Sequence, residues 1–185
     1  MKTKHQVAML TVMSFLLGFL LFPSLTFGDK PLYTGAPIGV YMEIDEITTG
    51  IGEFPPHENE VLIEAVAHGI SQPYDPNTGG GNAQLLHKAL HINKSLDQIS
   101  PLFSFWLSTG HTLEQVTLRF YLLNAYPEIH FYTILLEDAI VRSYDIEKDG
   151  QHKGASETVS FVYRRITWTD EESGHTHTES WEGAE

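Results

Sequence analysis

Apolar and polar positions alternate with period two over much of the second half of the chain. Residues 112–123 (TLEQVTLRFYLL), 128–144 (EIHFYTILLEDAIVRSY) and 157–169 (ETVSFVYRRITWT) alternate and are rich in Val, Ile, Thr and aromatics, which predicts strands. Turn-forming residues separate them at 124–127 and at Asp149 and Gly150. Upstream, residues 39–45 (GVYMEID) alternate briefly, and residues 60–70 place Val61, Ile63, Ala65 and Ala67 on one side. Strand character returns at 84–94 (QLLHKALHINK). One segment departs from the pattern. Residues 101–109 read as a helix, with Ser100 as its cap, Pro101 in its first position and Gly110 as its stop. Leu102, Phe103, Phe105, Trp106 and Leu107 make it apolar on most sides, so it is expected to be largely buried. About six strands and one helix predict a mainly β domain closed into a barrel or a two-sheet sandwich.

The N-terminus has a different character. Lys2 and Lys4 precede a stretch without charge from Gln6 to Gly28, and residues 7–22 are almost continuously apolar. A basic flank, an apolar run and small residues at Thr26 and Gly28 read as a secretory signal peptide. An uncleaved membrane anchor through residues 7–22 is the rival, though that run spans only about 24 Å of a ~30 Å hydrocarbon core. A wrongly assigned upstream start is the third reading. The expected organisation is therefore a leader over 1–28, a short arm over 29–38, a β domain over 39–169 and an acidic tail over 170–185. Residues 29–185 hold 24 acidic and 9 basic side chains, a net charge of −15.

That acidity argues against nucleic-acid binding, which needs clustered Lys and Arg, and the longest basic run is Arg164 with Arg165. The absence of cysteine removes disulfides, thiolate metal sites and thiol nucleophiles. Ten histidines invite metal or acid–base chemistry. His87 and His91 have the i,i+4 spacing of a zinc helix, yet Lys88 stands where a general-base Glu belongs. On a strand the two would lie about 13 Å apart. His175 and His177 sit in the acidic tail, which reads as solvated. Residues 145–150 (DIEKDG) begin like a calcium loop, but its twelfth position is Ser156 where a Glu is required. Residues 77–83 (NTGGGNA) lack the Lys-Ser/Thr and the helix of a phosphate loop. No G-x-S-x-G elbow occurs, and Asn93 heads a glycosylation sequon in form only. No cofactor, metal site or enzymatic activity is expected.

The order of elements is more specific than any one motif. The series HGISQPYDPNTGGGNAQLLHKALHINKSLDQISPLFSFWLSTGHTLEQVTLRFY, then IHFYTILLEDAIVRSYDI, then SETVSFVYRRITWT resembles the Hcp family, the tube-forming proteins of bacterial type VI secretion. The resemblance covers roughly residues 39–170. It rests on the Pro/Gly-rich loop leading into LHKAL, the helix ending STGHTL and the closing VSFVYRRITWT. Family-like positions include His87, Lys88, Tyr163, Arg164, Arg165 and Trp168.

The resemblance implies a barrel-like fold of two sheets with one short helix packed at the side. It also implies a homohexameric ring that stacks into a hollow tube, driven with a spike by a contracting sheath and exported, sometimes with small effector proteins inside. A catalytic role would need a fused toxin domain, and only 16 residues follow Thr169. By the same analogy, Gln72, Pro73, Tyr74, Asp75, Pro76, Asn77, Gly79, Gly80, Gly81 and Gln84 belong to an extended loop that reaches a neighbouring subunit or ring. Long loops without regular structure are often functional. The leader departs from the family pattern, because tube proteins assemble in the cytoplasm without one. The rival reading is a secreted monomeric barrel that binds a small protein or glycan through Tyr74, Trp106, Trp168 and Trp181.

Overall fold

Inward apolar positions on the alternating segments wrap the chain around one core. The computed structural model describes residues 36–47, 52, 55–73, 85–148 and 154–181, all within the compact unit Tyr33–Glu185. The first strands are β1 (Ile38–Ile44), β2 (Val61–Ile63), β3 (Ala65–Ala67), β4 (Ile70–Ser71), β5 (Leu86–His87) and β6 (Leu90–Ser95). The helix α1 (Ser100–Thr109) follows, and then β7 (Thr112–Leu122), β8 (Ile129–Glu147), β9 (Ser156–Val162), β10 (Arg165–Asp170) and β11 (Thr176–Ser180). Residues 1–35, with the expected leader, lie outside the described residues. Among the described residues no helix is long and apolar enough to cross a membrane.

The antiparallel path runs β2-β1-β7-β8-β9-β6-β3, and β4 pairs separately with β5. Because β2 and β3 are successive stretches of one course broken at Glu64, the path returns on itself and closes. Val116 of β7 faces Ile44 on one side and Leu136 of β8 on the other. Met42, Ile44, Leu118, Leu136, Ile92, Val159 and Phe161 fill the interior.

Two courses change partners part-way. Strand β8 keeps β7 beside residues 129–140, while its other edge takes β10 opposite residues 132–137 and then β9 opposite residues 140–147. At the change, Asp138 adopts a left-handed conformation (φ 50°), which a short polar residue tolerates better than most. The Arg164 amide donates to the Glu137 carbonyl across the corner (3.1 Å). The single strand expected over 157–169 is therefore split at Tyr163 and Arg164. At Glu64 the second course passes from β1 to β6, and the side-chain alternation flips with it. Val61 and Ile63 point inward, but Ala65 and Ala67 are exposed and Val66 turns in, correcting the expectation of four residues on one side.

The helix also differs from its forecast. Ser100 is its first residue rather than its cap, and Gly110 ends it in a left-handed conformation with its amide donating to the Trp106 carbonyl. Only Ser100, Phe103 and Trp106 are buried, a stripe at i,i+3 spacing, and Phe105 is 56% exposed. The helix lies against β8 at the side of the barrel, so one stripe suffices. Residues 176–180, expected as a solvated tail, form β11 against β10, with Trp168 opposite His177.

Beneath α1 lies a buried ion pair. Lys94 and Glu157 occupy inward positions, face each other across β6 and β9, and are fully buried. The Lys94 ammonium donates to Glu157 Oε1 (2.7 Å), to Asp97 Oδ2 (2.8 Å) and to the Ser95 carbonyl (2.9 Å). Glu157 also accepts from the Ser100 hydroxyl (2.9 Å) and the Tyr144 hydroxyl (2.9 Å). Burial, the hydrogen bond to Glu157 and its charge push the Tyr144 phenol up to about 12. Lys94→Met strands a buried carboxylate and is expected to cost about 3–5 kcal/mol of unfolding free energy. Lys94→Met with Glu157→Gln should recover at least half of that loss. Urea denaturation at neutral pH followed by circular dichroism measures both, and a single-variant cost below about 1 kcal/mol would refute the anchoring role.

Candidate functional site

Three distant segments meet where the β4–β5 hairpin rests on the β9–β10 corner. Tyr163, in the break between β9 and β10, is almost fully buried. Its hydroxyl lies 2.6 Å from His68 Nε2 and 3.1 Å from His87 Nδ1. Trp181 stacks on the His87 ring (centroids 5.6 Å apart) and meets Tyr163 edge-on (5.4 Å). On the other side His68 lies against Trp168 (5.9 Å), which in turn stacks on His177 (6.0 Å). Desolvation pushes the Tyr163 phenol up and both imidazoles, His68 and His87, down. The proximity of His87 lowers His68 further, while Glu179 opposes the shift at His87.

The structure thus brings His87 and Tyr163 into contact and places Trp168 one ring away. Lys88 contributes backbone, its amide donating to the Gly69 carbonyl (3.0 Å). Arg164 and Arg165 point elsewhere. Arg164 pairs with Asp138 (2.5 Å), and Arg165 forms a two-pronged pair with Glu137 that holds this carboxyl below its ordinary range. Gln72 and Pro73 follow directly on β4. Tyr74, Asp75, Pro76, Asn77, Gly79, Gly80, Gly81 and Gln84 lie outside the described residues. Sequence reasoning missed His68 and the inward role of Trp181, because no spacing rule links positions 68, 87, 163 and 181. Trp106, 4% exposed, belongs to the core.

A second polar cluster sits on β1 and β7. The His57 ring stacks flat on Tyr41 (3.6 Å, 4° between planes) and edge-on to Tyr121 (4.8 Å). Its two nitrogens meet Glu60 (2.5 Å) and Glu128 (3.0 Å), and Arg119 pairs with Glu60 and Glu43 at 2.6 Å each. These contacts tie residues 55–60 to the barrel wall. Thr133 Oγ1 lies 2.9 Å from His130 Nε2, but this hydroxyl donates to Glu171 (2.5 Å), which makes it a structural link. Asn93 Nδ2 is likewise used within the sheet, donating to the Glu157 carbonyl (3.2 Å) and the Thr158 hydroxyl (3.1 Å). Among the described residues no three of His, Asp and Glu converge where a metal ion could be held.

A protein-family model described as "Type VI secretion system effector, Hcp" matches residues 41–169. The chain belongs to the Hcp family. The "Major exported protein" of Pseudomonas aeruginosa is 36% identical over 132 residues, covering 68% of this chain and 77% of that one. A crystal structure of an Hcp protein superposes with a TM-score of 0.68 at 25% identity, covering 78% of this chain and 98% of that one. The secreted protein Hcp3 from Pseudomonas aeruginosa gives 0.63 at 28%, covering 80% and 99%. The matched model describes Hcp as a type VI secretion system effector, and the mainly β architecture with one packed helix is the fold the resemblance implied.

Trp181 docks the C-terminal hairpin through two ring contacts, each worth about 0.5–1.5 kcal/mol beyond buried area. Trp181→Ala is therefore expected to destabilise the chain by about 1–3 kcal/mol in urea denaturation. A change within about 0.3 kcal/mol would mean that the Trp181 contacts do not secure the C-terminal hairpin.

Proposed function

We propose that this Hcp-family chain is a tube subunit that forms six-membered rings, stacks them and is exported, without catalytic activity of its own. The observation that carries the reading is the family match over residues 41–169, joined to a fold that spans 98% of a solved Hcp protein. The exposed apolar side chains support it. Ile38, Leu123, Tyr126 and Ile129 stand exposed around the start of β1 and the β7–β8 turn. Such exposure is expected of a surface that meets another subunit. In this reading residues 72–84 reach a neighbouring subunit, the ring carries small effector proteins, and sheath and spike proteins are partners. The leader over 1–28 delivers or anchors the chain, or precedes its true start. The monomeric binding module loses support, because Trp168 and Trp181 are packed against the core and spent on the histidine cluster.

Light scattering behind size exclusion, on the full chain in mild detergent, tests the ring. A mass six times the 20.8 kDa subunit is expected, and a monomer at every concentration and salt would overturn the reading. With a formal charge of −13 per chain, the assembled fraction should rise as salt goes from about 20 mM to about 500 mM, because screening weakens self-repulsion. Deleting residues 79–81 or making Tyr74→Ala should reduce the six-fold species. Unchanged assembly would sink the loop assignment while leaving the ring intact.

A further inference from the structure

We propose that His68, Tyr163 and His87 form an acid-released latch, which fastens the β4–β5 hairpin to the β9–β10 corner while both imidazoles are neutral and frees it when they take up protons. The hydrogen-bond inventory carries the argument. A phenol has one proton to give, so Tyr163 can donate to one histidine only and must accept from the other. His87 Nε2 is buried with no partner, so the one proton of that neutral ring belongs on Nδ1, and the phenol donates to His68 Nε2 at 2.6 Å. His87 Nδ1 must then be the donor to Tyr163 at 3.1 Å. The result is one directed chain, from His87 through Tyr163 to His68. Its far end, His87 Nε2, is buried with no partner. A bare lone pair can stay there; an N–H or a charge would be left unsatisfied.

Protonation breaks this chain at either histidine. A proton on His68 Nε2 makes that nitrogen a donor to the phenol oxygen, and the phenol's own proton is then left without an acceptor unless His87 moves its proton to the unpartnered Nε2. A proton on His87 Nε2 would have no acceptor, beneath the stacked indole of Trp181. The surrounding charges do not offset this. Glu179 of β11 attracts His87 but is already bonded to His177 (2.7 Å). Lys88, whose side chain lies over Gly69, adds a positive charge, and the Arg164 side chain is paired with Asp138. The parts of the hairpin that the latch holds are themselves small: the pairs Ile70 with His87 and Ser71 with Leu86, and the Lys88 amide on the Gly69 carbonyl.

The direction follows from linkage. Both imidazoles are held below the ordinary value of 6.5 in the closed hairpin, so an open hairpin binds protons more readily. Opening is therefore favoured as pH falls below about 6.5, and the effect levels off below the closed-state values. At about pH 5 each histidine can contribute up to about 30-fold. The proposal goes beyond the ring reading and does not depend on it.

The test is amide hydrogen exchange on the full chain, corrected for intrinsic rates, at about pH 7.5 and about pH 5. Protection of the Ser71, Leu86 and Lys88 amides, the ones the β4–β5 ladder holds, should fall at least about 10-fold more than that of the β7–β8 amides. Tyr163→Phe should lower their protection at both pH values, and His68→Gln with His87→Gln should remove the pH dependence. A relative change under about threefold in the unmodified chain, or a pH dependence that survives the double variant, would overturn the latch. Side-chain NMR titration of the unmodified chain gives a check that no variant's folding can spoil. Midpoints for His68 and His87 below 6.5 support the proposal, and either one at or above it refutes it.

Discussion

The Lys94–Glu157 pair is the constraint around which the barrel is arranged. Two charges at inward positions of β6 and β9 have left water entirely, and desolvation on that scale is offset only when every polar valence finds a partner. Here the ammonium has three oxygens around it, and the carboxylate has the ammonium and two hydroxyl donors. Those donors come from different elements: Ser100 opens α1 and Tyr144 lies on β8. A shift of the helix by one turn would remove the Ser100 donor and the packing of Phe103 on Phe161 and Tyr144 together. The pair therefore fixes where the helix sits, which apolar burial alone would leave loosely specified. It also explains why a helix apolar on most sides needs to bury only one stripe.

The same pair shows where sequence reading stops. Strands were legible because a half-buried strand alternates, and segments 112–123 and 128–144 correspond closely to β7 and β8. The stop at Gly110 was legible because only a residue that tolerates left-handed backbone ends the helix there. Lys94 and Glu157 were not, since each sits in a period-two pattern where a polar residue reads as outward. The fault at Glu64 was hidden for a related reason. Val61, Ile63, Ala65 and Ala67 keep their spacing through a point where the chain changes its partner from β1 to β6, and small Ala is content on either face.

The candidate site was half visible. His87, Tyr163 and Trp168 stood out through family resemblance, yet what joins them is the corner at Asp138, where the β9–β10 course breaks and Tyr163 is released to face inward. Such a corner depends on pairing β8 with two successive partners, a long-range property that no local window contains. His68 enters only because the flip at Glu64 carries the chain from β1 to β6 and delivers it to the same corner. The C-terminal segment misled in the opposite sense. Its polar residues read as solvated, but the edge of β10 offers unpaired backbone groups, and a polar strand satisfies them as well as an apolar one. Trp181 then secures the hairpin.

Closure of the barrel bears on how an assembly of this chain would be held. A path that closes through one short switching course leaves only short edges for another chain to extend. Among the described residues, β2, β3, β4, β5 and β11 are each paired with one strand only, and all are short, the longest being the polar THTES of β11. Strand-to-strand addition is thus a poor basis for ring growth, and side-chain faces and projecting hairpins are what remain. Exposed apolar residues on the β1 start, the β7–β8 turn and α1 supply such faces, and they lie on elements whose positions the core already fixes. The acidic excess acts against them over a Debye length of about 10 Å at 0.1 M salt, whereas apolar contact acts only when surfaces touch. Association on these terms is opposed at a distance and favoured on contact, which makes it selective for surfaces that fit closely.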